Sequence, residues 1–141
     1  MITKVKKWTM AVLLLCRLQL LKVVEGRLLD CSNTESLCAM VLILGECGDL
    51  VDTGPYLIEH VLRDRCNRSP ICGQLLTSLL TASSQLFLRC PAQYQHVLGH
   101  VLELCMNSSD SDVHDKASFY YVLLSTEFQL ATRTILSSSL S

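Results

Sequence analysis

The chain has 141 residues, the length of one domain or of a piece of a larger one, and is 50% hydrophobic and 18% charged, enough to bury a substantial core. Twelve basic and thirteen acidic side chains are spread along it, giving a net charge of −1 and no clustered basic field, which argues against nucleic acid as a partner. Mean hydropathy is +0.35, high enough that part of the apolar surface is expected to meet lipid or another protein.

In chain order, the start pairs basic MITKVKK with an apolar run from Trp8 to Cys16, the outline of a targeting signal. Arg17, Gln19 and Lys22 interrupt the run short of a membrane span, and no small-x-small cleavage site follows. The expectation is one amphipathic or buried helix over 5–24, with a targeting signal as the alternative, stopped at Glu25-Gly26-Arg27. Ser32 with Glu35 has capping-box spacing before a helix over 34–47, whose run Leu37 to Leu44 is apolar all round and so is expected to be buried on more than one side. Residues 48–54 read as a loop, and Pro55 as the first residue of a helix over 55–65 with Leu57, Val61 and Leu62 inward.

Ser69-Pro70 repeats the cap-then-proline start. The helix that follows carries the stripe Ile71, Leu75, Leu79, Ala82 and Leu86, flanked by Leu76, Leu80 and Phe87. Pro91 opens a helix to about Met106 with Tyr94, Val97, Val101 and Cys105 on one face and Leu98 and Leu102 beside it. The short oxygen-bearing side chains of 107–111 are suited to cap a helix over 112–125, in which Val113, Ala117, Tyr120 and Leu124 share a face. Asp112 and Asp115 favour the positive end of its dipole, and Asp112 with Lys116 is an i, i+4 pair. A last short helix turns Phe128, Ala131 and Ile135 inward. No stretch alternates with period two, so no strand is expected.

About seven helices with short turns, pairing into hairpins with a repeat of roughly 35–45 residues, define an all-α fold of HEAT or armadillo type. In such an α-solenoid each layer touches only its neighbours, and no central element is expected. The eight cysteines fall mostly inside apolar helical runs and form no C-x-x-C, so they are expected to be reduced, core-filling thiols in a cytosolic protein.

Asp112 to Ser125, DVHDKASFYYVLLS, resembles the D-x-x-x-R-D-R-A-x-x-Y-Y-R-L-L signature of β-adaptins, the large β subunits of vesicle adaptor complexes. Asp115, Lys116, Ala117, Tyr120, Tyr121, Leu123 and Leu124 keep the pattern, while His114 and Val122 replace residues that are usually basic. Met40 to Glu46 is similar to the family's I-W-I-I-G-E helix, with Leu42 in place of Trp. Gln74 to Thr77 and Leu86 to Pro91 match its Q-L-L-T-A…L-F-L-x-x-P run. The likeness covers roughly 28–136, so residues 1–25 are set apart as an unmatched variant start and 26–141 as trunk-like repeats. Pro55 to Glu59 and Pro91 to Gln95 look most like the β subunit of the fourth, clathrin-independent complex.

The resemblance implies a fragment or short form of the C-terminal β trunk, a non-enzymatic scaffold for coat assembly and cargo sorting without cofactors. It implies other adaptor subunits as partners, chiefly the medium subunit, and indirect association with Golgi and endosomal membranes from the cytoplasm. Asp115, Lys116, Phe119, Tyr120, Tyr121 and Arg89 are the candidate contact residues, because aromatic and arginine side chains dominate interface energy when buried. For Tyr120, core packing is the favoured role.

Other chemistry is weaker. His96, His100 and Glu103 share a helical face with metal-ligand spacing but no evident fourth ligand, so a solvated polar face is favoured over a zinc site or a metalloenzyme. His60 and His114 are isolated. Arg63, Arg65 and Arg68 surround Asp64 and read as a solvated loop before a lipid-headgroup site. Leu28-Leu29-Asp30 is too short for a clathrin box, and the Tyr94, Tyr120 and Tyr121 sorting-signal look-alikes lie in helices. Asn67 and Asn107 fit glycosylation sequons, which matter only for the alternative of a secreted or membrane-anchored helical protein.

Overall fold

Most positions of the apolar stripes at helical spacing become buried seams, and proline or a short polar side chain marks most helix starts. The computed structural model describes residues 2–28, 30–68, 72–126 and 131–136. Among them lie six α-helices: α1 (Ile2–Arg27), α2 (Thr34–Cys47), α3 (Gly54–Arg68), α4 (Gly73–Arg89), α5 (Pro91–Met106) and α6 (Ser111–Thr126). A 3-10 turn at Gly48–Leu50 and a π-helical turn at Thr132–Leu136 complete the order, and no strand occurs among the described residues.

The main contacts join helices that are adjacent in the chain or next but one: α1 on α2, α2 on α4, α3 on α5, α4 on α5 and α6, and α5 on α6. This is the all-α stack of a solenoid. One expectation fails, because there is a central element. Helix α4 lies against α2, α5, α6 and both short turns, and Leu75, Leu76, Leu79, Leu80, Ala82 and Leu86 are buried on it. A helix covered on several sides needs small positions where neighbours approach, and Gly45 of α2 supplies one. A Cβ there would stand 2.7 Å from Ala82 Cα and 2.8 Å from Ala82 Cβ, inside van der Waals contact, so only glycine lets α2 lie this close on α4.

Several boundaries differ from expectation for local reasons. Helix α1 ends at Arg27, the last residue of the expected stop, and Gly26 stays helical, its backbone out of the left-handed region that would end the helix earlier. Asn33, not Ser32, caps α2: its side chain accepts hydrogen bonds from the backbone N–H of Glu35 (2.9 Å) and Ser36 (3.3 Å). Helix α3 begins at Gly54, one residue before Pro55, and continues to Arg68. Ser69, Pro70 and Ile71 lie outside the described residues, and α4 starts at Gly73 behind Cys72. Helix α2 is buried on more than one side as expected, against α1 and α4, although Leu42 of its apolar run is exposed. On α6, Leu123 is buried with Val113, Ala117 and Tyr120, while the expected Leu124 is only half-buried. Ala131 and Ile135 are buried as expected; Phe128 lies outside the described residues.

The cysteines are less uniform than their sequence setting implies. Cys38, Cys47 and Cys105 are buried thiols, Cys31 and Cys90 are half-buried, and Cys16 and Cys72 are exposed, all seven being free; nothing is described of the Cys66 side chain.

Candidate functional site

The site that the sequence singles out is helix α6 with Arg89 at the end of α4. Asp110 starts α6, its Oδ1 accepting from the Asp112 N–H at 3.0 Å. The helix then divides into two sides. Val113, Ala117, Tyr120 and Leu123 face the core, and Phe119, Tyr121 and Val122 stand in solvent at 53%, 56% and 56% exposure. Met106, at the end of α5, is also exposed, and its Sδ accepts from Ser118 Oγ at 3.5 Å, so it lies beside this open side.

Lys116 belongs to the inner side. It does not pair with Asp112; its Nζ donates to Thr81 Oγ1 on α4 at 2.8 Å and lies 5.4 Å from the Tyr120 ring centroid, a cation–π contact. Burial lowers its pKa, opposed by the neighbouring Cys105 thiol. Burial likewise raises the Tyr120 hydroxyl, with a hydrogen bond to Thr81 opposing it. Cys105 is fully buried, its Sγ donates to Leu76 O at 3.7 Å, and desolvation pushes its thiol up to about 11, the Lys116 charge acting the other way. Lys116, Tyr120, Thr81 and Cys105 thus form one partly buried polar joint between α4, α5 and α6. Asp115 remains in solvent, its Oδ1 3.9 Å from His114 Nδ1.

Arg89 works in the opposite direction, toward α2. Its Nη1 donates to the Gly45 and Glu46 carbonyls at 3.0 and 2.5 Å and stands 3.8 Å from Asp49 Oδ1. These carbonyls lie in the last turn of α2, where helical partners run out, so Arg89 caps that helix from 44 residues away. Of the six candidates, then, Phe119, Tyr121 and Asp115 are open, while Lys116, Tyr120 and Arg89 are engaged within the chain.

The remaining candidates stay apart. His96, His100 and Glu103 line an open groove along α5, where His100 Nδ1 stands 3.6 Å from Glu59 Oε2 of α3. No three His, Cys, Asp or Glu residues among those described are arranged to hold a metal ion. Arg65 donates from Nη2 to Cys31 O at 2.8 Å, which ties α3 to the start of α2; the Arg68 side chain and Leu29 lie outside the described residues. No described helix is long and apolar enough to cross a membrane. Tyr94, Tyr120 and Tyr121 are helical, as expected.

A stack of helical hairpins with one signature helix half-open defines a helical scaffold. The AP-1 complex subunit beta of Dictyostelium discoideum is 34% identical over 115 residues, 76% of this chain and 12% of that protein. The human AP-1 complex subunit beta-1 is 34% identical over 113 residues, 75% and 12%, and the mouse AP-4 complex subunit beta-1 is 32% identical over 93 residues, 65% and 12%. No protein-family model matches. The chain belongs to the β-adaptin family. It spans only a small part, 12%, of the length of these relatives. The likeness to the AP-4 subunit is present but shorter than that to the AP-1 subunits.

Three outcomes are expected. Arg89→Ala strips charged hydrogen bonds from the end of α2 and is expected to lower unfolding free energy by about 1.5–3 kcal/mol in urea titrations. Phe119→Ala and Tyr121→Ala, made on the open side, are expected to stay within about 0.5 kcal/mol of the parent. The pH dependence carries the Cys105 signature. Its folded pKa lies above the unfolded value of 9.0, so the folded state keeps a proton that the unfolded chain loses. This contribution is complete below pH 9 and fades as pH rises toward 11. Stability is expected to fall by on the order of 2 kcal/mol across that window, and by less in Cys105→Val.

Proposed function

We propose that the chain acts as a non-enzymatic scaffold in a vesicle adaptor complex, a piece or short form of a β subunit that serves coat assembly and cargo sorting in intracellular protein transport. Residues 26–141 carry the trunk-like part and 1–25 stand outside it. Its partners are the other adaptor subunits, chiefly the medium subunit. Its place is the cytoplasmic side of Golgi and endosomal membranes, as a peripheral coat.

The observation that carries this reading is the division of α6. Its inner side is fixed by Lys116 and Tyr120, while Phe119, Tyr121 and Val122, with Met106 nearby, leave an aromatic surface in water. Large exposed aromatics on a rigid helix are the residues that anchor protein interfaces. The AP-1 and AP-4 β subunits it is similar to are by name subunits of multiprotein complexes.

Co-expression with an adaptor small–medium subunit pair, followed by affinity capture at moderate salt, tests the reading. The chain is expected to retain the medium subunit. The double variant Phe119→Asp/Tyr121→Asp is expected to retain about tenfold less or lower still, with unchanged helix content by circular dichroism. A parent chain that captures no medium subunit overturns the proposal, and a double variant that captures it equally well removes α6 from the interface.

A further inference from the structure

Helix α1 is held at one end only. Leu21, Val24 and Leu28 are buried and α1 packs on α2, whereas residues 7–17 are exposed throughout. Trp8 is 70% exposed and Leu15 61%, and Met10, Val12, Leu13 and Leu14 are exposed beside them. Leu13, Leu14 and Leu15 are consecutive, and at about 100° per residue they occupy more than half the circumference.

Charge narrows the choice of what covers it. Lys4, Lys6, Lys7, Arg17 and Lys22 bracket the apolar run, and the first acidic residue of the chain is Glu25, whose Oε1 accepts from Thr53 Oγ1. Two copies of α1 laid together would bring cation against cation, so a second copy is a poor partner. The apolar stretch from Trp8 to Cys16 is about 13 Å long as a helix, against roughly 30 Å for a bilayer core, so it is too short to span. An apolar segment of this length with lysine and arginine at both ends suits the boundary between acyl chains and anionic headgroups. There the apolar side chains leave water while long cationic side chains reach back to phosphate and carboxylate groups.

We propose that the projecting part of α1, residues 7–17, is a membrane-surface element that lies in the interface of an anionic bilayer with Trp8, Leu13 and Leu15 among the acyl chains and Lys7, Arg17 and the nearby Lys22 at the headgroups. The proposal stands apart from the docking surface on α6, which lies on a different helix.

Trp8 is the chain's one tryptophan and reports on its own insertion. The full chain is titrated with vesicles of pure phosphatidylcholine and with vesicles carrying roughly three phosphatidylserines per ten lipids. Trp8 emission is expected to shift to the blue with the anionic vesicles, much less with the neutral ones, and to return toward its free value at high salt. Lys7→Glu/Arg17→Glu/Lys22→Glu is expected to need about tenfold more lipid or above, and Leu13→Glu to lose the shift. All four side chains are exposed, so these variants are expected to keep the fold, which unchanged helix content by circular dichroism checks. An emission maximum that anionic vesicles leave unmoved overturns the proposal. So does a shift that appears without lipid and grows with protein concentration, which would mean that a second copy covers the helix.

Discussion

The structure depends on how closely α2 lies on α4. Gly45 faces Ala82 with no room for a side chain between them, and that contact sets the spacing of the central pair. Arg89 then fastens the same crossing from the far end of α4 by bonding the Gly45 and Glu46 carbonyls. Packing and capping therefore act at one place: the glycine that permits the approach also presents the carbonyl that the arginine takes. A second glycine serves the next layer. A Cβ at Gly54 would collide with the Tyr94 hydroxyl, which reaches from α5 toward Gly48 O at 3.4 Å. Burial raises that hydroxyl's pKa, so it stays a neutral donor.

With α4 fixed in this way, its outer neighbours can be one-sided. Helix α6 is held by a partly buried joint in which a lysine gives up part of its hydration for Thr81 and the Tyr120 ring. Burying an amine is costly unless it is bonded, and these two contacts supply the compensation. The consequence is a rigid helix whose free side is aromatic. Helix α1, held through Leu21, Val24 and Leu28 and the Glu25–Thr53 hydrogen bond at one end, is the opposite case: a long apolar element with little of the fold behind it. The high mean hydropathy of the chain thus has two separate sources, a thick core around α4 and uncovered surface on α1 and α6.

Most helices were legible in the sequence because their signals are local. Pro91 opens α5, and the Tyr94, Val97, Val101 and Cys105 stripe became a buried seam. The signature around Asp115 to Leu124 led to the family. The signals that failed are those in which neighbouring residues compete or distant ones meet. Ser32 and Asn33 are both good caps, and only backbone geometry chose Asn33. Leu123 and Leu124 are both apolar, and the angle at which α6 meets the core buried the first. The place of α4 at the centre, the glycine contact and the reach of Arg89 across 44 residues leave no periodic trace. Lys116 was readable as a family residue, but its turn toward Thr81 was masked by an equally spaced Asp112.

The most direct test of this account compares glycines inside helices. A Cβ placed on Gly99 of α5 would meet nothing within 4 Å, whereas one on Gly45 would meet Ala82 at 2.7 Å. Urea unfolding of Gly99→Ala is expected to show a gain of about 0.5–1 kcal/mol from helix propensity alone. Gly45→Ala is expected to lose about 1–3 kcal/mol despite the same gain in propensity, because the helices must part. If Gly45→Ala is as stable as Gly99→Ala, the close crossing of α2 on α4 does not hold the structure together, and the account fails at its foundation.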